Sequence, residues 1–103
     1  MNDAIHADLA PKAVGSYPHA RRSGNLLFLS GIGPRSAADN SIPGNVYDPS
    51  GNLRHYDISA QCHSVFANVK AVLESAGAGW NDLIDVTVYL TDMGNFQTVN
   101  KVM

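Results

Sequence analysis

The sequence has one cysteine, Cys62, in 103 residues. A single cysteine excludes an internal disulfide framework and a cysteine-rich metal site. There is no apolar run near the length that crosses a bilayer, so no membrane partner is expected. Met1–Lys12 lacks the apolar centre of a secretion signal. Basic charge is not in excess: 7 Lys and Arg stand against 9 Asp and Glu, a formal net charge of −2. Arg21-Arg22 is the only adjacent basic pair, so the basic stripe that nucleic-acid binding needs is missing. His6, His55 and His63 have no ligand-like spacing, and no metal site is expected. Internal repeats and low-complexity segments are absent as well. What is left is one small domain over residues 1–103 with ordinary apolar content and low charge, expected in a reduced, cytoplasmic setting. The low charge leaves room for a surface shared between subunits.

The stretch with most content is Asn25–Arg35, Asn-Leu-Leu-Phe-Leu-Ser-Gly-Ile-Gly-Pro-Arg. Four apolar residues have the length of a buried strand, and Gly31, Gly33 and Pro34 stop it abruptly. A hydroxyl at Ser30 and bare backbone amides are thereby offered at a rigid strand end, a suitable place for a small-molecule site. Upstream, Ser23-Gly24 is a hairpin dipeptide. With that turn Arg22 faces Asn25, Tyr17 falls opposite Ser30, and His19 falls opposite Phe28 on the same face. A bulge would shift the pairing.

The rest of the chain follows in order. Residues 1–14 are mixed and polar and read as an arm with little structure. Residues 36–56, rich in Ser, Asn, Asp, Gly and Pro, form a long loop. Within it Val46-Tyr47 and Leu53–Tyr56 are expected to pair around Pro49-Ser50-Gly51. Asp57 is an N-cap, and Cys62, Val65, Phe66, Val69, Val72, Leu73 and Ala76 recur at helical spacing up to a C′ glycine, Gly77. Gln61 and Asn68 lie on the edge of that stripe, placed to bond backbone at the helix–sheet boundary. Cys62 reads as inert core, and Lys70 and Glu74 as a surface i,i+4 pair. Leu83–Thr91 alternates strictly, with Ile84, Val86, Val88 and Leu90 on one face and Asp85, Thr87, Tyr89 and Thr91 on the other, which predicts a strand. Asn95 caps a second helical stripe through Phe96, Val99 and Met103, and the chain stops after about two turns.

These residues resemble the RidA (YjgF) family of imine deaminases. The matching pieces are Ala10-Pro11…Val14-Gly15-Ser16-Tyr17, Gly24-Asn25 followed by an apolar strand and Ser30-Gly31, and Gln61…Asn68-Val69-Lys70…Leu73-Glu74-Ser75-Ala76-Gly77. Val86–Asp92 and Asn95-Phe96…Val99-Asn100 complete the set, in the family's order and spacing. Tyr17–Arg22, Gly33-Pro34-Arg35, Ile42-Pro43-Gly44 and the long loop resemble the bacterial 2-aminomuconate deaminases in particular. The resemblance implies an α+β, chorismate-mutase-like fold with two helices on one face of a sheet, and a homotrimer with sites in clefts between subunits. In the family a Pro-Ala-Arg strand binds the substrate carboxylate and a glutamate on the last strand handles water. Both follow the second helix and map to no residue here. The sequence is therefore expected to be a fragment or a C-terminally truncated form ending within the second helix.

Hydrolysis of an enamine or imine needs a carboxylate held, one water placed and protons moved, with no metal or cofactor. The resemblance gives Tyr17 the role of orienting water or substrate. Ser30 is assigned hydrogen bonding, since no Ser–His–acid spacing supports a covalent step. The amides of Gly31, Ile32 and Gly33 could receive negative charge. Arg35 is a candidate for the distal carboxylate of a dicarboxylate such as 2-aminomuconate, against the plainer reading of a solvated loop arginine. His19 and Arg21 could line the same cleft, although a half-buried strand histidine also accounts for His19. The expected substrate is a small dicarboxylate or a keto or imino acid. Three activities stay open: 2-aminomuconate deaminase in aromatic degradation, a broad 2-aminoacrylate-type deaminase, and a non-catalytic trimeric ligand-binding protein.

Overall fold

The structure, a computed structural model, describes residues 3–103. Met1 and Asn2, the start of the expected arm, lie outside the described residues. Three short strands form one antiparallel sheet in the order β1 (Ala4–Ile5), β2 (Ala20–Ser23), β3 (Leu26–Leu29). A second, two-stranded ribbon pairs β4 (Val46–Tyr47) with β5 (Leu53–His55). Helix α1 (Ile58–Ser75) packs on the three-stranded sheet, and α2 (Phe96–Val102) packs on α1 through the buried Val99.

Helix α1 follows the sequence signals closely. The Asp57 carboxylate accepts from the Ala60 N–H at 3.1 Å, satisfying one of the orphan donors of the first turn. At the other end the Gly77 N–H donates to the Glu74 carbonyl at 3.0 Å and the Ala78 N–H to the Leu73 carbonyl at 2.8 Å. That pair of bonds is a Schellman closure, and Gly77 sits in it at φ 77°. Val72, 1% exposed, is the most buried large side chain of α1 and meets Ala7, Ala10 and Ala20. Three alanines facing one valine let helix, sheet and arm approach closely, and burying that valine contributes about 1.5–3 kcal/mol. The paired strands expected within the long loop are present, with a bulge between Val46 and Tyr47.

Four expectations are corrected. The β2–β3 turn is Gly24-Asn25, not Ser23-Gly24, and the pairs are Ala20 with Leu29, Arg21 with Phe28, Arg22 with Leu27 and Ser23 with Leu26. Gly24 has φ 61°, which suits the first central position of a type II′ turn. Relative to the expected register the strands are offset by two residues, which keeps every side chain on its face but changes its partner. The arm is also more ordered than expected: Ala4 and Ile5 pair with Arg21 and Ala20, and Ala7 and Ala10 are buried. Asn95 does not cap α2 with its side chain; it donates to the Tyr56 hydroxyl at 3.2 Å, while Asp92 accepts from the Gly94 N–H at 2.8 Å.

The fourth correction concerns residues 83–91, which form no strand ladder. Ile84 is 83% and Tyr89 91% exposed, and Val86 and Val88 are exposed too. Alternation fixes which side chains share a face, but a ladder needs a neighbouring backbone. Here a cleft of about 1280 Å³ separates the segment from β3, with α1 residues Cys62, Val65, Phe66 and Val69 at its floor. The radius of gyration, 14.9 Å, exceeds the roughly 13 Å of a compact hundred-residue domain, in keeping with this open side.

Candidate functional site

The chain leaving β3 is held from three directions. The sheet holds its start: the Ser30 N–H donates to the His19 carbonyl at 3.0 Å, and Ser30 Oγ donates to the Pro18 carbonyl at 2.8 Å. Helix α1 holds its middle: Ser64 Oγ donates to the Pro34 carbonyl at 2.7 Å, and Asn68 Nδ2 donates to the carbonyls of both Gly33 and Arg35, at 2.9 and 2.8 Å. The arm covers its outer side. His19 Nδ1 accepts from the Ala7 N–H at 2.9 Å, and the same ring's Nε2 donates to the Pro11 carbonyl at 2.8 Å. The backbone donor at Ala7 fixes this tautomer, since Nδ1 must carry a lone pair. Arg35 Nη2 donates to the Lys12 carbonyl at 2.7 Å and Nη1 to Asn40 Oδ1 at 3.0 Å, so Arg35 ties the arm to the long loop.

Between these supports lies a small cavity of about 40 Å³, room for a few waters or the head of a small ligand. Of the eight residues singled out from the sequence, Tyr17, His19, Ser30, Gly31, Ile32, Gly33 and Arg35 line it. Arg21 does not line it. The expected cross-strand neighbours Tyr17 and Ser30 are not opposite each other: with the Gly24-Asn25 turn, Ser30 bonds to His19 instead. Tyr17 is 43% exposed, and among the described residues its hydroxyl has no hydrogen-bond partner. Its ring lies so close to Gly15 that a β-carbon there would come within 2.9 Å of Tyr17 Cε1.

The polarity of the cavity is one-sided. Among the described residues the N–H groups of Gly31, Ile32, Gly33 and Arg35 find no acceptor, whereas the carbonyls of Gly33, Pro34 and Arg35 are all taken by α1. Arg35 is the one Lys or Arg among the lining residues, and among the described residues no carboxylate lines the cavity. Free amides beside a cation are an arrangement that receives negative charge. Both ring nitrogens of His19 are committed to main chain, so His19 positions the arm rather than offering a donor to a ligand.

Sequence reasoning did not assign Ser64 or Asn68 to the site. Asn68 does bond backbone at the helix–sheet boundary as read, but Gln61 reaches the Asn45 side chain instead, at 3.3 Å. The available signal was a Ser–Asn pair four residues apart on the buried side of α1, one helical turn that meets the loop after β3. Cys62 is buried in α1 outside this cavity, and burial pushes its thiol pKa up, in line with an inert core residue. Lys70 and Glu74 form the exposed i,i+4 pair, at 3.9 Å.

The profile of the Endoribonuclease L-PSP family matches residues 7–103. A RutC family protein of Pyrococcus horikoshii is 41% identical over 103 residues, covering 99% of this chain and 72% of the relative. The 2-iminobutanoate/2-iminopropanoate deaminase of Escherichia coli K12 is 31% identical over 100 residues, covering 97% of this chain and 69% of that enzyme. Among solved structures, the YjgF gene product of E. coli superimposes with a TM-score of 0.80 at 30% identity, over 96% of this chain and 68% of that one.

Proposed function

This chain belongs to the Endoribonuclease L-PSP family, the RidA/YjgF/RutC proteins, and from that premise we propose that it acts in the hydrolysis of a small 2-imino acid to a 2-keto acid and ammonia. Water adds to the C=N carbon, the nitrogen takes up protons, and the C–N bond breaks to release ammonia. One observation carries this reading: Tyr17, Ser30, Gly31–Gly33 and Arg35 line one cavity at the end of β3, and the Gly31–Gly33 N–H groups find no acceptor among the described residues.

The division of work follows from what each group can do. The amides and Arg35 receive the substrate carboxylate. Ser30 Oγ spends its proton on Pro18 and keeps lone pairs that can accept from an imine N–H. The Tyr17 hydroxyl, unpartnered among the described residues, orients the water. Among the described residues no carboxylate lines the cavity, so this wall binds and orients. In this reading the protein is a cytoplasmic homotrimer, and the exposed Phe28, Ile84 and Tyr89 supply apolar contact surface. No helix among the described residues is long and apolar enough to cross a membrane.

A second reading, 2-aminomuconate as substrate, is favoured by Arg35 alone. Two of its five N–H donors serve Lys12 and Asn40, which leaves three for a distal carboxylate. Ammonia release from 2-iminobutanoate and from 2-aminomuconate, by the wild type and by Arg35→Ala, separates the readings. If the dicarboxylate is the substrate, Arg35→Ala raises KM for 2-aminomuconate at least about tenfold, the loss of one charge-assisted contact. If KM is unchanged, the dicarboxylate reading fails. Binding of 2-oxobutanoate without turnover of either imine identifies a ligand-binding member of the family.

A further inference from the structure

We propose that His19 makes the arm over the cavity a proton-sensitive strap: residues 7–11 close on the neutral imidazole and are released when the ring takes up a second proton.

The ring staples one turn of the arm. Ala7 and Ala10 close that turn, the Ala10 N–H donating to the Ala7 carbonyl at 3.2 Å. His19 grips it at both ends, with Nδ1 accepting from the Ala7 N–H at 2.9 Å and Nε2 donating to the Pro11 carbonyl at 2.8 Å. Only one protonation state does both, the neutral ring with its hydrogen on Nε2. The imidazolium carries a hydrogen on each nitrogen, so its Nδ1–H would meet the Ala7 N–H, donor against donor. Ala7 is buried, and its N–H would lose its acceptor with no water in place to substitute. The second proton therefore enters as the turn lifts. Imidazole makes this charge change between about pH 8 and pH 5. The strap is complete while the ring is neutral and is lost as pH falls through that interval.

The surroundings do not offset the new charge. Among the described residues no carboxylate lies within ion-pair reach of the His19 ring. From the arm, His6 faces it ring to ring at 6.4 Å, and Asp8 and Lys12 flank the gripped residues. His6 gains charge over the same interval, and two closed imidazolium rings would repel, which adds to the release. Tyr17 and Arg35 line the same cavity, α1 supplies only Asn68 and Val72 to it, and β2 continues into Arg21, a further cation.

Release takes one wall from the cavity. Ala10, Pro11 and Ala13 line it, and Ala7 and Ala10 pack with Val72. Upstream the arm stays anchored by the pairing of Ala4 and Ile5 with β2, and downstream Arg35 still holds the Lys12 carbonyl at 2.7 Å. Opening is thereby confined to the stretch between those ties and leaves the sheet folded.

Native-state hydrogen exchange of the wild type and His19→Gln at pH 7.5 and pH 5.5 tests this, read as protection factors so that the chemical pH dependence of exchange cancels. In the wild type, protection at Ala7 and Ala10 is expected to fall at least about fivefold at the lower pH, while Val72 in α1 holds. His19→Gln, whose amide accepts and donates at both pH values, is expected to show no such fall. Wild-type protection that is equal at both pH values, or an equal fall in His19→Gln, overturns the proposal. Should His19→Gln fail to fold, the wild type decides alone. The His19 ring-nitrogen shifts must then titrate together with the protection of Ala7, and a loss that follows His6 instead overturns it. No ligand enters the measurement, so the strap and the deaminase reading stand or fall separately.

Discussion

Replacing His19 with leucine should unlatch the arm from the cavity without unfolding the domain. The ring makes two bonds to main chain, accepting from Ala7 N–H at 2.9 Å and donating to Pro11 O at 2.8 Å. Leucine keeps much of the volume and removes both. Ala7 is 3% exposed, so its N–H would be left buried and unpaired. One lost bond contributes about 0.5–1.5 kcal/mol and one stranded buried donor costs about 1–3 kcal/mol, together roughly 2–4 kcal/mol. At about 1.4 kcal/mol per factor of ten, that raises the local opening constant of the arm about 30- to 1000-fold. Native-state hydrogen exchange at Ala7 and Ala10 reads it directly, with Val72 in α1 reporting on global unfolding. His19→Gln, which can both accept and donate, should give an intermediate value. Exchange at Ala7 in His19→Leu that stays within about threefold of wild type, a difference under 1 kcal/mol, would refute the reasoning.

Two further outcomes follow. At Gly44, with φ 85°, a β-carbon would lie 2.6 Å from Asp57 Cβ and 3.2 Å from Asp57 N. Gly44→Ala should therefore combine left-handed strain of about 1–3 kcal/mol with a displaced N-cap worth about 0.5–2 kcal/mol. A melting temperature lowered by at least about 8 °C is expected, and a change under about 2 °C would contradict the packing of the loop onto α1. For the assembly, light scattering of the purified protein should give the mass of three 11.0 kDa chains, and a monomer mass would end the trimer proposal.

How much of this was legible in the sequence depended on whether the signal was local. Helix α1 was legible to its caps because Asp57 and Gly77 act through bonds three to five residues away. The small β4–β5 ribbon was legible because turn residues bracket it. The register of β2 on β3 was not: Ser23-Gly24 and Gly24-Asn25 are both turn dipeptides, and a two-residue offset preserves every face, so alternation cannot choose between them. Only the backbone at Gly24 decides. The pairing of Ala4 and Ile5 escaped because a two-residue strand has no period to read. Residues 83–91 show the converse, a full alternating pattern without a ladder, since pairing depends on a neighbour that the pattern does not encode. At the site, the strand end and its amides were visible as Ser30–Gly33, whereas Asn68 lies 33 to 35 residues from the carbonyls it holds and was visible only as a polar residue on a buried stripe.

The central claim is that the cavity at the end of β3 serves imine hydrolysis, and ammonia release from 2-iminobutanoate generated in situ tests it most directly. Release faster than spontaneous hydrolysis in buffer, reduced by Tyr17→Phe, is expected. Release no faster than buffer from folded protein, with the Gly31–Gly33 amides unmoved by 2-oxobutanoate, would contradict it.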